Sequence, residues 1–442
     1  MKRKYMILGL LLVVVALFTG CNIRTIDQLY ALPKRSDAYL NLQSVMDQAM
    51  SGQEYFAPLS GENQQAVQTA DLDGDNDPEY LVFARGIEDK KLRILIFTRV
   101  DDEYILADTI ERSANAFENV QYVRFTGSKG YDLIFGCQVN DQVARWLGVY
   151  KMEHKDVDAI AELNGIGYSR FVCADLDSDG LTELLILRSN EDHGAQNGIA
   201  ELYQMGKKGV ERYKEVNMSE PVDRIKRIMI SKLSGGKTAV YVASDVDGSA
   251  IITDVFAVVD NEFTNVSFSN ESGTSVQTLR NYYVYADDID NDGVLELPSL
   301  IPIQSAPNAS QEEQYLIRWY AMTPDGAEVD RMFTYHNYLG GWYLTLNENI
   351  VNNAMVNQLG NSYAFTVTKE DGSQAELMTV YVFTGHQREE QAIADNRFVL
   401  YRNETTVYAA HLGVESAAYS ISKDSLIRSF HLIVQDWKNG ET

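Results

Sequence analysis

Short apolar runs recur along the middle of this chain at a steady distance. Residues 80–83, 133–135, 184–187 and 240–242 are each followed by a second run, at 93–97, 146–150, 199–203 and 253–256, and residues 316–320 continue the series. A third run follows in the first unit, at 103–106. Runs of this length, rich in β-branched and aromatic residues and bounded by Gly, Asp and Asn, predict strands. The simplest reading is five repeats of a small antiparallel sheet over residues 60–335. One such unit cannot bury both of its apolar faces, so neighbouring units must stack.

Helical periodicity is confined to the flanks. Over residues 37–50, Leu42, Val45, Met46 and Ala49 share one face, with Ser36 placed to cap the start and Gly52 to end it. Near the C-terminus, Leu426, Ile427, Phe430, Ile433, Val434 and Trp437 predict an amphipathic helix over 423–437, and residues 351–359 supply another. Between them, 365–367 and 377–383 flank a turn at 369–373, and 398–401 with 406–408 form a further strand pair. Residues 336–442 therefore read as a small α+β domain.

Between the first and second strands of three units lies the same acidic pattern. It comprises Asp71, Asp73, Asp75, Asp77 and Glu79; Asp175, Asp177, Asp179 and Glu183; and Asp288, Asp290, Asp292 and Glu296. Carboxylates at loop positions 1, 3, 5 and 9 are how a short loop wraps a hard cation. Alternate side chains point inward, and the position-7 backbone carbonyl, here of Asp77, Leu181 or Val294, fills a gap. One such loop is a common surface pattern; three in register predict about three structural calcium sites. Asp71, Asp175 and Asp288 are 104 and 113 residues apart, and midway along each gap the framework recurs without its acids, at 123–135 and 228–242.

The loops and their spacing resemble the FG-GAP/VCBS family, whose blades carry a DxDxDG-type calcium loop between their first two strands. The resemblance covers roughly residues 60–335 and implies a mainly β chain. It implies a β-propeller of about five detectable blades, with six or seven possible, followed by the α+β domain. The second and fourth blades depart from the family in lacking the acids and are assigned no metal. The first loop departs in having Gly74 at position 4 and Asn76 at position 6, where Asn tolerates left-handed backbone angles.

At the N-terminus Lys2, Arg3 and Lys4 precede an apolar run over 6–18, then Gly20 and Cys21. This has the form of a secretory signal over 1–20 and is too short to span a bilayer comfortably. It resembles a bacterial lipobox, with Cys21 as the lipidated first residue and residues 21–59 as anchor, tether and short helix. The expected place is the outer face of a cell membrane, where weak calcium sites are useful. Without residues 1–20 the chain keeps 35 basic against 63 acidic side chains, a formal charge of −28. Such a surface repels nucleic acid. Cys137 and Cys173 sit in apolar strand context and read as buried free thiols.

No catalytic signature stands out. Residues 234–238 (Ser-Gly-Gly-Lys-Thr) look like the tail of a phosphate loop, but the leading glycine is absent and a strand, not a helix, follows. Neither HExxH nor GxSxG occurs, and the six histidines are scattered. Trp319, Tyr320, Trp342 and Tyr343 could line a sugar- or peptide-binding surface or simply fill the sheets, the reading favoured here. The functional expectation is a calcium-stiffened binding, adhesion or envelope-scaffold lipoprotein whose partner is an extracellular protein or glycan. The alternative is an extracellular polysaccharide hydrolase or lyase on the same scaffold.

Overall fold

The computed structural model describes residues 37–433, apart from 140–144, 154–155, 164–167, 191–196, 208, 282–283, 304–314, 352–353 and 370–371. The expected signal, Cys21 and the Ser36 cap lie outside the described residues. Within them no helix is long and apolar enough to cross a membrane.

Helix α1 (Asp37–Ala49) lays Leu42, Val45, Met46 and Ala49 over Val82, Leu95 and Phe97 of the first sheet. Asn41 Oδ1 accepts from the Tyr104 amide at 2.6 Å, and Gly52 ends the segment at φ 75°. The first sheet holds β1 (Gln53–Tyr55), β2 (Val67–Ala70), β3 (Glu79–Gly86), β4 (Leu92–Val100) and β5 (Glu103–Arg112); β1 and β2 share one edge of β3.

Three four-stranded antiparallel meanders follow. The second sheet is β6 (Ala116–Val123), β7 (Asp132–Gln138), β8 (Arg145–Glu153) and β9 (Asp156–Leu163). The third is β10 (Tyr168–Ala174), β11 (Glu183–Ser189), β12 (Gly198–Gly206) and β13 (Gly209–Asn217). The fourth is β14 (Ile225–Lys232), β15 (Thr238–Val246), β16 (Ala250–Val259) and β17 (Glu262–Asn265).

Period-two alternation explains why the second strands are apolar throughout: each is covered on both faces. In β7, Leu133, Phe135 and Cys137 pack toward the first sheet, and Ile134 toward the third. In β11, Leu184 and Ile186 face the second sheet, and Leu185 and Leu187 the fourth. The repeat is also visible in the strand register. Ladders in four sheets shift at an aromatic residue: Phe97, Tyr150, Tyr203 and Tyr320.

The fifth sheet runs β18 (Glu296–Pro302), β19 (Tyr315–Met322), β20 (Glu328–Asn337) and β21 (Trp342–Leu346). Among the described residues its first strand is reduced to one bridge, Asp287 to Glu296. Residue 336, the expected domain boundary, lies inside β20, and β21 extends the same sheet past it. The sixth sheet comprises β22 (Ala354–Leu359), β23 (Ser362–Thr368), β24 (Gln374–Thr384), β25 (Phe398–Arg402) and β26 (Thr406–Leu412), in the order β22-β23-β24-β26-β25. It packs on the fifth through Trp342, Tyr335, Phe365, Tyr363 and Leu377.

Two helix expectations are corrected here. Residues 351–359 are mostly β22, because Gly360 takes φ 59° and turns the chain into a hairpin with β23. The C-terminal helix stops at Ser429 (Lys423–Ser429), and Phe430–Leu432 becomes β27 on the open edge of β21; Val434 and Trp437 of the expected helix lie outside the described residues. There Phe430 stacks on Trp342 at 5.7 Å, which a continued helix would forfeit. The described residues are thus mainly β, with six antiparallel sheets in series. Among the described residues no apolar cluster joins the sixth sheet to the first.

Candidate metal centres

Each acidic loop leaves the first strand of its sheet and enters the second, so antiparallel pairing holds its two ends together. Between them the backbone turns twice through the left-handed region, at positions 4 and 6. Gly74 and Asn76 have φ 77° and 71°, Ser178 and Gly180 have 66° and 90°, and Asn291 and Gly293 have 60° and 84°. Asn76 does adopt the angle expected of it. Gly74 has its own reason to be glycine: an added Cβ would lie 2.4 Å from Lys129 Cβ and 2.6 Å from the Gly130 nitrogen. Position 4 of the third-sheet and fifth-sheet loops carries Ser178 and Asn291.

The same hydrogen bonds recur in all three loops. The position-6 amide donates to the second oxygen of position 1 at 3.2, 3.2 and 2.9 Å, for Asp71, Asp175 and Asp288. The position-5 amide donates to the position-3 carboxylate, Asp73, Asp177 or Asp290, at 3.1, 3.1 and 3.2 Å. The position-7 amide donates to position 5, Asp75, Asp179 or Asp292, at 2.7, 2.7 and 2.8 Å.

These bonds aim carboxylates inward. In each loop one oxygen from positions 1, 3 and 9 lies within 4.8 Å of the others: Asp71, Asp73 and Glu79; Asp175, Asp177 and Glu183; Asp288, Asp290 and Glu296. The position-5 acids stand outside these trios. At position 7 the Asp77 carboxylate turns away to Arg99 Nε at 2.7 Å, and Leu181 and Val294 offer only their carbonyls.

The ninth-position glutamates are buried: Glu79 is 1 %, Glu183 4 % and Glu296 0 % exposed. One oxygen of each accepts the position-2 amide, from Leu72, Leu176 and Ile289, at 2.8, 2.8 and 3.1 Å. Thr98 Oγ1 donates to the other oxygen of Glu79 at 3.0 Å, whereas Oε1 of Glu296 is buried with no hydrogen-bond partner. Burial pushes all three carboxyls up to about 7, the acids opposite push the same way, and the position-2 amide pulls down. Asp177 is raised too, first by burial. An all-oxygen set with a buried acceptor left over suits a hard divalent cation. These acidic clusters could hold a metal.

The second and fourth loops are closed without such a set. Asp132 occupies the ninth position of the second loop, a role the sequence reading missed although it sits seven residues after Phe125, as Glu79 sits after Leu72. Its Oδ2 accepts the Phe125 and Thr126 amides at 2.8 and 2.7 Å, and its Oδ1 accepts Thr126 Oγ1 at 2.8 Å. Thr126 stands where the other loops have a position-3 acid, so protein donors satisfy the carboxylate. In the fourth sheet the Leu233 amide donates to the Lys237 carbonyl at 2.8 Å, a tight turn leading straight into β15. The phosphate-loop resemblance therefore has no helix behind it.

Three of the four aromatic candidates are core, and Tyr343 is half-buried, stacked on the His336 and His431 rings. Trp319, Tyr320 and Trp342 are fully buried, and Trp319 Nε1 donates to Thr334 Oγ1 at 2.8 Å. Cys137 and Cys173 are buried free thiols, which burial pushes up.

No protein-family model and no curated protein matches the sequence. Among solved structures, a rhamnogalacturonan lyase of Bacillus licheniformis is similar at 12% identity and TM-score 0.32, over 73% of this chain and 71% of its own. The β-propeller domain of the trilobed protease of Pyrococcus furiosus is similar at 13% identity and TM-score 0.29, over 72% and 88%. Superposition on both is poor.

Proposed function

We propose that this chain is an extracytoplasmic binding module: a propeller whose serial sheets are stiffened by calcium in three loops, tethered to a membrane through Cys21. The observation that carries the metal reading is the buried ninth-position glutamate, above all Glu296, whose Oε1 has no protein partner. A buried carboxylate facing two more acids is unfavourable at neutral pH unless something positive joins it. Calcium would supply that charge, bound by Asp71, Asp73 and Glu79 and by their counterparts in the other two loops.

The chain's own residues do the rest. The left-handed turns and the repeated amide bonds hold the acids in place, and the ninth residue ties the site to the second strand of its sheet. The cation is therefore structural, linking first and second strands, and the ligand is an extracellular protein or glycan met by the rest of the surface. Asp175→Ala should remove one bound calcium per chain and lower the melting temperature in calcium, with little change in chelator. An equal drop in chelator would mean that the loop acids act through hydrogen bonds alone. Cys21→Ser should release the chain from the membrane fraction; retention there would refute the lipid tether.

A further inference from the structure

The loops of neighbouring sheets are joined by hydrogen bonds in a fixed register. The Tyr131 amide of the second loop donates to the Asp71 carbonyl of the first at 2.8 Å. The Thr182 amide of the third donates to the Arg124 carbonyl of the second at 2.7 Å. In both cases the donor is position 8, next to the closing carboxylate (Asp132, Glu183), and the acceptor is position 1 of the preceding loop. The Leu295 amide of the fifth loop makes the same bond to Lys232 of the fourth at 3.3 Å. Among the described residues no bond of this register joins the fourth loop to the third.

Contact between the first and second loops is backbone against backbone. A Cβ on Gly130 would lie 2.2 Å from the Leu72 carbonyl oxygen, and one on Gly74 would lie 2.6 Å from the Gly130 nitrogen. On the other side, a Cβ on Gly127 would touch Leu181 of the third loop at 3.5 Å. Asp132 is fully buried and closes this middle loop from within. The first loop therefore cannot shift its position-1 backbone without moving Tyr131. The second cannot shift its own without moving Thr182, the residue before Glu183.

We propose that the second loop is a permanently closed spacer, with Asp132 as its positioning residue, which couples the cation sites of the first and third loops. Those two sites load cooperatively, and the fifth-sheet site loads on its own. This rests on the reading of the acidic loops as cation sites. The physical basis is shared ordering: a cation at either site fixes backbone that the other needs fixed, so the second ion meets a loop already part-ordered.

The test is a calcium titration of the full chain, followed by hydrogen exchange of the segments spanning each loop and by calorimetry. Asp177→Asn, which disables the third site, should weaken the first by about 5- to 10-fold. Asp290→Asn, in the fifth-sheet loop, should leave the first unchanged. Asp132→Asn keeps every ligand of both sites but sets an amide nitrogen against donors; both sites should still fill, each more weakly and without mutual effect. If Asp132→Asn fails to fold, the Asp177→Asn arm, which leaves the second loop intact, decides. Three sites that fill independently, with Asp177→Asn silent at the first, would overturn the coupling and leave the cation reading standing. No calcium uptake in any loop would overturn both.

Discussion

A buried carboxylate is the most exacting single residue in this molecule. Glu79, Glu183 and Glu296 are each pushed up to about 7. A carboxyl whose folded pKa lies above its unfolded value contributes stability below the unfolded value and loses it as pH rises through the folded one. Without a cation, the chain should therefore lose stability between about pH 4.5 and 7. With saturating calcium the loss should vanish or reverse, because the ion displaces the proton; melting curves across that range, in chelator and in calcium, check both. Glu296→Gln isolates one site. At pH 8 it should raise the melting temperature in chelator, by removing a buried uncompensated charge, and lower it in calcium. Gly74 makes a second residue-scale case. Gly74→Ala combines a left-handed backbone angle, about 1–2 kcal/mol for a side chain, with a collision against Lys129 and Gly130. It should destabilise the chain more than Gly180→Ala, where only the angle is unfavourable and no neighbour lies within 4 Å. Urea unfolding in chelator separates this from any effect on metal.

Among the elements, what was legible in the sequence was whatever repeated. Strand runs such as 93–97 and 146–150 are visible because a strand covered on both faces has no polar positions to blur it, and the acidic loops because spacing alone orders their carboxylates. The second loop was less legible. Its closing carboxylate is an Asp where the others have Glu, and its remaining donors are a hydroxyl and amides, which spacing does not distinguish from any turn. The C-terminal errors have a common physical cause. Apolar positions in 351–359 and 423–437 suit either period, and the choice fell to tertiary pairing: β22 to its hairpin partner, and β27 to the free edge of β21. Phe430 is the residue on which that edge closes, stacked on Trp342 and 5.1 Å from the Tyr408 ring. Phe430→Ala should destabilise the chain by about 3 kcal/mol, read from denaturant midpoints, and loosen β27 in hydrogen exchange before the first four sheets are affected.

Across the whole molecule, five sheets carry their first-to-second-strand loops at one end of a serial stack, and three of those loops gather acids in a chain whose formal charge is −25. The acids gathered within each of those three loops repel one another, so the loops and their cations should be stable together and weaker apart. The most direct measurement is calorimetric unfolding of the chain lacking residues 1–21, with calcium and with chelator, alongside a count of bound ions. The account predicts a large calcium-dependent rise in melting temperature with about three ions per chain, one for each acidic cluster. An unchanged melting temperature with no ion bound would contradict it, and the three loops would then be acidic turns held only by their own amides.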